Sequence, residues 1–176
     1  MTLLEVVLVM TVMLVAISML SGTLLAAARQ RTFQKEEAIA SLTIRNVLER
    51  LRELPCQQVY ASYNADPSDD PLGPGTAPGH RFATPGLTPV LEAEDQLTGT
   101  VVFPERVVPS GGRELREDLA NELLGMPRDL NGDNVVDGRN HAGDYLILPV
   151  EVRVEWRGHN GNRVLRGVAM LVRFDW

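Results

Sequence analysis

Oxygen-bearing side chains crowd into one short stretch, Asp129-Leu130-Asn131-Gly132-Asp133-Asn134-Val135-Val136-Asp137-Gly138-Arg139-Asn140. Asp129, Asn131, Asp133 and Asp137 stand at positions one, three, five and nine of this twelve-residue run, and the carbonyl of Val135 falls at position seven. That spacing lets one turn of backbone wrap a hard cation, and calcium takes about six to eight oxygen ligands. Asn140 closes the run and Asp144 follows as a later ligand. Three carboxylates within nine residues repel one another, so a bound cation would draw the segment together. The alternative is a polar turn held by its own Asx hydrogen bonds, with no ion. Elsewhere His80, His141 and His159 show no metal spacing, and His141 and His159 read as solvated. No GxSxG, P-loop or HExxH motif occurs, so the sequence does not predict an enzyme.

The elements that would position the acidic run are clearest after it. Val150, Val152, Val154 and Trp156 alternate with Glu151, Arg153 and Glu155, which predicts a strand with one buried and one wet face. A turn is expected over Gly158–Asn162. A second strand over Val164–Trp176 would place Val168, Met170, Val172, Phe174 and Trp176 on the apolar side of a hairpin spanning 145–176. Upstream, the sequence predicts a short strand at Gly99–Phe103 and a short helix at Glu114–Leu124 ending at Gly125. Between Asp66 and Pro89 ten of 24 residues are Pro or Gly, so 66–89 reads as a long loop, partly polyproline-like, mobile at its tip and acting as a spacer.

The N-terminus has a different character. Val6 to Ala28 is a run of 23 uncharged residues, long enough to span a hydrocarbon core of about 30 Å. Nothing basic precedes it and it exceeds the h-region of a secretory signal, so a membrane segment or filament core is expected. Glu5 stands at its start, where a carboxylate needs a cationic or hydrogen-bonding partner or else sits at the membrane surface. No Pro occurs before Pro55, and Phe33, Ala40, Ile44, Val47, Leu51 and Leu54 recur at helical spacing. The expected organisation is therefore an apolar half-helix 1–28, an amphipathic half-helix 29–54 and a globular part 55–176. The predicted fold class is α+β: the amphipathic half of the helix packs under a small antiparallel sheet and the apolar half stays exposed. Cys56, the single cysteine, reads as a small buried residue at a helix end.

The stretch MTLLEVVLVMTVMLVA resembles the N-terminus of mature type IV pilins and type II secretion pseudopilins, closely over residues 1–28 and in character over 1–54. The resemblance implies a structural subunit, a minor pilin or pseudopilin, of a pilus-like filament or a type II secretion system. It implies processing by a prepilin peptidase, with Met1 as the N-methylated residue and Glu5 as the assembly glutamate that pairs with a terminal amine. Other pilins or pseudopilins would be its partners through the N-terminal helix. The chain would sit in the bacterial inner membrane with a periplasmic head before entering an extracellular filament or periplasmic pseudopilus. Trp156 before the hairpin turn and Arg163 after it are similar to minor pilins of the PilV and type II secretion "I" kind. The acidic run resembles the calcium loops of EF-hand and dockerin repeats, with Asn134 in place of the central Gly and Asn140 in place of the closing Glu. The alternative reading is a single-span, membrane-anchored periplasmic protein that binds calcium and a ligand. The formal charge of −6, with most of the acidic excess after residue 54, and the lack of basic patches with interleaved aromatics give no support for a nucleic-acid partner.

Overall fold

The computed structural model describes residues 2–91, 95–109 and 112–173. They fall into two compact units, Met1–Ala38 and Ile39–Trp176, the second of which is called the head below. One helix, α1 (Leu3–Glu53), contributes to both.

In the first unit α1 is apolar and exposed, with Leu3 85%, Met10 63% and Leu20 61% accessible. Its most apolar stretch has a mean hydropathy of 2.6 and none of it is buried, so the helix is long and apolar enough to cross a membrane. Four hydroxyls interrupt the run, and each donates to a carbonyl of the preceding turn: Thr11 to Val7 (2.7 Å), Ser18 to Val15 (2.8 Å), Ser21 to Ile17 (2.9 Å) and Thr23 to Leu20 (2.8 Å). The surface of the helix is thereby left without an unmet hydroxyl proton. At the start of the helix Thr2 and Glu5 bond reciprocally. The Thr2 backbone N–H donates to Glu5 Oε2 and the Glu5 backbone N–H donates to Thr2 Oγ1, each at 3.4 Å. Thr-x-x-Glu is a capping box, a role for Glu5 that the sequence reading passed over.

The head begins on the same helix. From Ile39 onward α1 buries Ala40, Ile44 and Leu51, with Val47, Leu48 and Leu54 partly covered. This is the predicted stripe with one correction: Phe33 lies in the first unit and is 41% exposed. Pro55 stops the helix, and its fixed φ of −55° starts a second one, α2 (Cys56–Tyr63), which buries Val59 and Tyr60. No apolar period announces so short a helix. Tyr60 stacks edge-on against Phe103 with ring centroids 5.3 Å apart.

A four-stranded antiparallel sheet completes the core, in the order β1 (Arg81–Phe82), β2 (Gly99–Val102), β5 (Ile147–Gly158), β6 (Gly161–Val172). A separate pair, β3 (Glu105–Val107) and β4 (Arg113–Leu115), stands between β2 and β5 in the chain. The expected helix at Glu114–Leu124 is not formed. Residues 113–115 pair as strand β4, and only Glu122–Leu124 winds into a 3-10 turn, capped by Asn121 Oδ1 and ended by left-handed Gly125. Burial there alternates, with Leu115 and Glu117 inside and Arg116 and Asp118 more exposed, which is a strand's period.

The β5–β6 hairpin is present, but its second strand faces the other way from the expectation. The connection is the two-residue turn His159–Asn160, with Gly158 opposite Gly161. Every even residue of β5 is therefore opposite an odd residue of β6, and opposed residues share a face: Trp156 with Arg163, Val154 with Leu165, Val152 with Gly167, Val150 with Ala169, Leu148 with Leu171. Val168, Met170 and Val172 point outward at 44%, 42% and 44% exposure. Phe174 and Trp176, assigned to the same face, lie outside the described residues. Among the inward positions Gly167 is small because α1 is close: a Cβ there would stand 2.3 Å from Ile44 Cγ2. The expected wet face of β5 also needs correction, since Glu151 is 1% exposed, held by Arg153 (3.0 Å) and Arg166 (3.4 Å).

This contact generates a prediction. Gly167→Val should lower the stability of the head by about 1–3 kcal/mol through overpacking, and adding Ile44→Ala should recover part of the loss. Thermal denaturation followed by Trp156 fluorescence measures both; equal melting temperatures for wild type and Gly167→Val would contradict the close approach.

Candidate functional site

The acidic run is clamped at its base by backbone pairs. Leu146 and Ile147 donate to Leu130 O at 2.7 and 3.0 Å, and the His141 N–H donates to Leu115 O at 2.9 Å. Tyr145, 2% exposed, ties the end of the segment to α2: its hydroxyl donates to Cys56 O and accepts from the Tyr60 N–H. Burial pushes the Tyr145 phenol far up, so it stays protonated and able to donate.

Within this frame the oxygens separate into two groups. In the first, Asp129 Oδ1 accepts from the Gly132 N–H (2.6 Å) and Oδ2 from the Asn134 N–H (2.7 Å). Burial alone would raise the Asp129 pKa, but these backbone donors hold it below the usual carboxylate range. The turn they stabilise needs left-handed residues, and Gly132 (φ 81°) and Asn134 (φ 65°) supply them, so Asn134 does take the conformation required of the missing glycine. Asn131 Oδ1 accepts from the Asp133 N–H (3.0 Å) and Asp133 Oδ1 from the Val135 N–H (2.8 Å). The Asn131 amide nitrogen donates to both Asp133 Oδ2 (3.2 Å) and Asp144 Oδ2 (3.4 Å). Asn131, Asp133 and Asp144 thus converge on one point beside the Asp129 turn.

The second group turns away from that point. Asp137 Oδ1 accepts from the Arg139 N–H (2.8 Å) and faces His141 Nε2 (3.2 Å), while Arg139 pairs with its other oxygen at 3.0 Å. The Arg139 amide, with the His141 and Arg139 side chains, outweighs burial and depresses the Asp137 pKa. Asn140 Oδ1 accepts from the N–H groups of Leu115 (3.2 Å) and Ala142 (3.0 Å), so it fastens the loop to β4. Asp144 is brought to the Asn131–Asp133 group and Asn140 is not.

Two residues that the sequence reading did not assign to the site organise it. Glu117 is 0% exposed and spends its carboxylate on the loop backbone: Oε1 accepts from Leu130 (2.6 Å) and Asn131 (3.3 Å), and Oε2 from Asp137 (3.2 Å). His141, expected to be solvated, is 3% exposed. Its Nδ1 lies 3.1 Å from Asp144 Oδ1, and its Nε2 lies 3.2 Å from Asp137 Oδ1 and 3.6 Å from Glu117 Oε2. Desolvation alone would lower the His141 pKa, yet the bond to Asp137, the Glu117 charge and the Asp144 carboxylate together raise it above its ordinary 6.5. Glu117 lies twelve residues before Asp129, and no spacing rule points to it. The signal available for His141 was its position four residues after one Asp and three before another.

Glu117, Asp137 and His141 could form a metal triad by proximity alone. A metal would need the Nε2 lone pair of a neutral imidazole and a free Glu117 oxygen. In the structure the two ring nitrogens of His141 face Asp144 and Asp137, and both Glu117 oxygens accept backbone N–H groups, so these atoms already have partners within the protein. In comparisons with known proteins, the chain matches no family model, no curated protein and no solved structure.

The sign of the pH dependence follows from the raised His141 pKa. A group bound more tightly to its proton when folded adds stability that is present below its unfolded pKa and is lost as pH rises through its folded pKa. The depressed carboxylates of Asp129 and Asp137 act at the other end, losing their contribution as pH falls through the acid range. In chelator, the melting temperature should therefore decline from about pH 6 to about pH 9. His141→Gln should flatten that slope; an unchanged slope in the variant would assign it elsewhere.

Proposed function

We propose that the chain is a structural subunit of a type IV pilus-like filament or a type II secretion machine, of the minor pilin or pseudopilin kind. The observation that carries this reading is the exposed apolar half of α1, continuous with a stripe that the head's own sheet covers and interrupted by a single charge, Glu5. Such a helix is soluble only in lipid or against other helices. In this reading the chain waits in the inner membrane with its head in the periplasm, then leaves laterally, exchanging lipid for neighbouring helices. Prepilin peptidase processing would fall on Met1, which lies outside the described residues. No catalytic role is part of the proposal.

Glu5 has two candidate duties, completing the capping box and pairing with an amine of a neighbouring subunit, and they can be separated. Glu5→Gln keeps an acceptor for the Thr2 N–H but removes the charge, while Glu5→Leu removes both. Under the assembly role, both variants should insert and fold normally yet lose most of the crosslinks between α1 helices in cells. Wild-type crosslinking in Glu5→Gln would leave Glu5 as a helix cap only.

The proposal extends to calcium at the acidic run, supported by the convergence of Asn131, Asp133 and Asp144 beside the Asp129 turn. The ion would be held by Asp129, Asn131, Asp133, Asp144 and the Val135 carbonyl, with the Asn131 amide rotated to present its oxygen. This set leaves aside Asp137, which faces Arg139 and His141, and Asn140, which bonds the N–H groups of Leu115 and Ala142; Asp144 turns Oδ1 to His141 and keeps Oδ2 towards Asn131. Calcium would supply the positive charge that relieves repulsion among the carboxylates, and binding to the native form alone stabilises it by about 2.7 kcal/mol at a hundredfold excess over Kd. The melting temperature should rise with calcium and fall with chelator. Asp144→Ala should remove the increment, whereas Asn140→Ala should lower the baseline and keep it. Superimposable curves with calcium and chelator would return the run to a polar turn without an ion.

A further inference from the structure

Two features of the head lie towards opposite ends of α2 and carry opposite charges. The first is a cleft of about 650 Å³ at the N-terminal end of α2. Its apolar lining comes from Leu51, Leu54 and Val59 of the helices and from the inward Leu171 of the edge strand β6, with the flanking Met170 and Val172 at its border. Arg52 and Arg173 stand on its rim with Cys56 between the helices. Arg52 keeps about half its side chain in solvent (54%) beside Glu49, and Arg173 donates at 2.7 to 3.1 Å to the Gln57 amide when that amide is turned to offer its oxygen.

The second feature is the tip of the Pro- and Gly-rich segment, which folds back on itself and does not run as an extended spacer. Gly73 N–H donates to Asp70 O (3.0 Å), Gly75 N–H to Pro67 O (3.0 Å), and the Thr76 hydroxyl to Gly73 O (2.6 Å). Asp70 Oδ2 accepts from the Ala77 N–H (3.1 Å) and Asp69 Oδ2 from the Asn64 amide (2.7 Å), while Gly79 N–H closes onto Ser62 O (3.1 Å). These bonds hold Leu72 outward at 89% exposure, separated by Pro71 from the pair Asp69-Asp70. A lone exposed leucine is ordinary; one fixed on an acidic knob, in a chain that also carries a basic-rimmed apolar cleft, has a complementary surface available. The knob follows the C-terminal end of α2 and the cleft surrounds its N-terminal end. Eight helical residues, about 12 Å, separate them.

We propose that the cleft receives the Leu72 knob of a second copy of this chain, joining heads head to tail. Asp69 and Asp70 approach Arg52 and Arg173 while Leu72 leaves water for the space between α2 and β6. Because knob and cleft are different surfaces, the contact is heterologous, and each added copy presents the same free knob and free cleft again. One knob buries too little area to hold isolated heads together, so the contact acts between chains already concentrated in a membrane or an array. The inference stands on the head alone and does not depend on Glu5.

Cys56 makes this testable in the full-length chain in its membrane, because the cleft already holds the only thiol. Pro71→Cys keeps Leu72 and places a second thiol on the knob; Leu72→Cys does the same at the tip. Under a mild copper oxidant, each variant should give a ladder of dimers, trimers and higher rungs on non-reducing gels. Cys56→Ser should remove every rung above a knob-to-knob dimer. In the Pro71→Cys background, Leu72→Asp should cut the ladder about tenfold, the loss expected from one buried leucine. Arg52→Glu with Arg173→Glu should weaken the ladder, and changing Asp69 and Asp70 to Lys in that variant should restore it. No rung above dimer in the two cysteine variants, or rungs above dimer that persist in Cys56→Ser, would overturn the proposal.

Discussion

The approach of α1 to β6 sets the rest of the head. A helix can lie this close to a strand only where the strand omits its side chain, and Gly167 does so opposite Ile44. Ala169 beside it keeps the approach shallow. Leu48, Leu51 and Leu54 then reach the valines of β5, and Trp156 fills the far end of the same layer. Dispersion and apolar burial both depend on such short separations, since a gap of less than a methyl group forfeits much of the contact energy. Where the helix passes closest, the strand has room only for Gly167 and Ala169, and the larger Leu165 and Leu171 fill the inward positions to either side.

That arrangement explains where sequence reasoning succeeded and where it failed. The long helix was legible because an uninterrupted apolar run and a stripe of period 3.6 leave few alternatives, and Pro55 marks its end. Strand β5 was legible from strict alternation. Its partner was misread because size was taken as the sign of burial, when Val168, Met170 and Val172 are the large residues and Gly167 and Ala169 the inward ones. A turn of two residues in place of five decides that parity, and parity decides everything downstream of it. Helix α2 was invisible because eight residues hold too little periodicity, and the burial of Val59 and Tyr60 is a tertiary fact.

The acidic run shows the same division at the level of chemistry. The oxygen spacing fell on a tight turn, in which Asn134 is left-handed, and Asp144 lies beside Asn131. The identity of the neighbours was not legible. Glu117, two residues after β4, satisfies three loop amides, and His141 enters the interior between Asp137 and Asp144. A buried carboxylate saturated by backbone donors is a scaffold, because taking either partner away leaves an uncompensated polar group inside. Asn140 is thereby committed to fastening the loop and Asp137 to Arg139 and His141, while Asn131, Asp133 and Asp144 are left facing one another.

The self-bonded hydroxyls of α1 have a consequence for how the helix responds to its surroundings. Thr11, Ser18, Ser21 and Thr23 close their polar accounts within the preceding turn. Passage from one hydrocarbon-like environment to another therefore breaks no hydrogen bond and requires none to be made. For this stretch of helix such a passage would change only the shape of the atoms pressed against it.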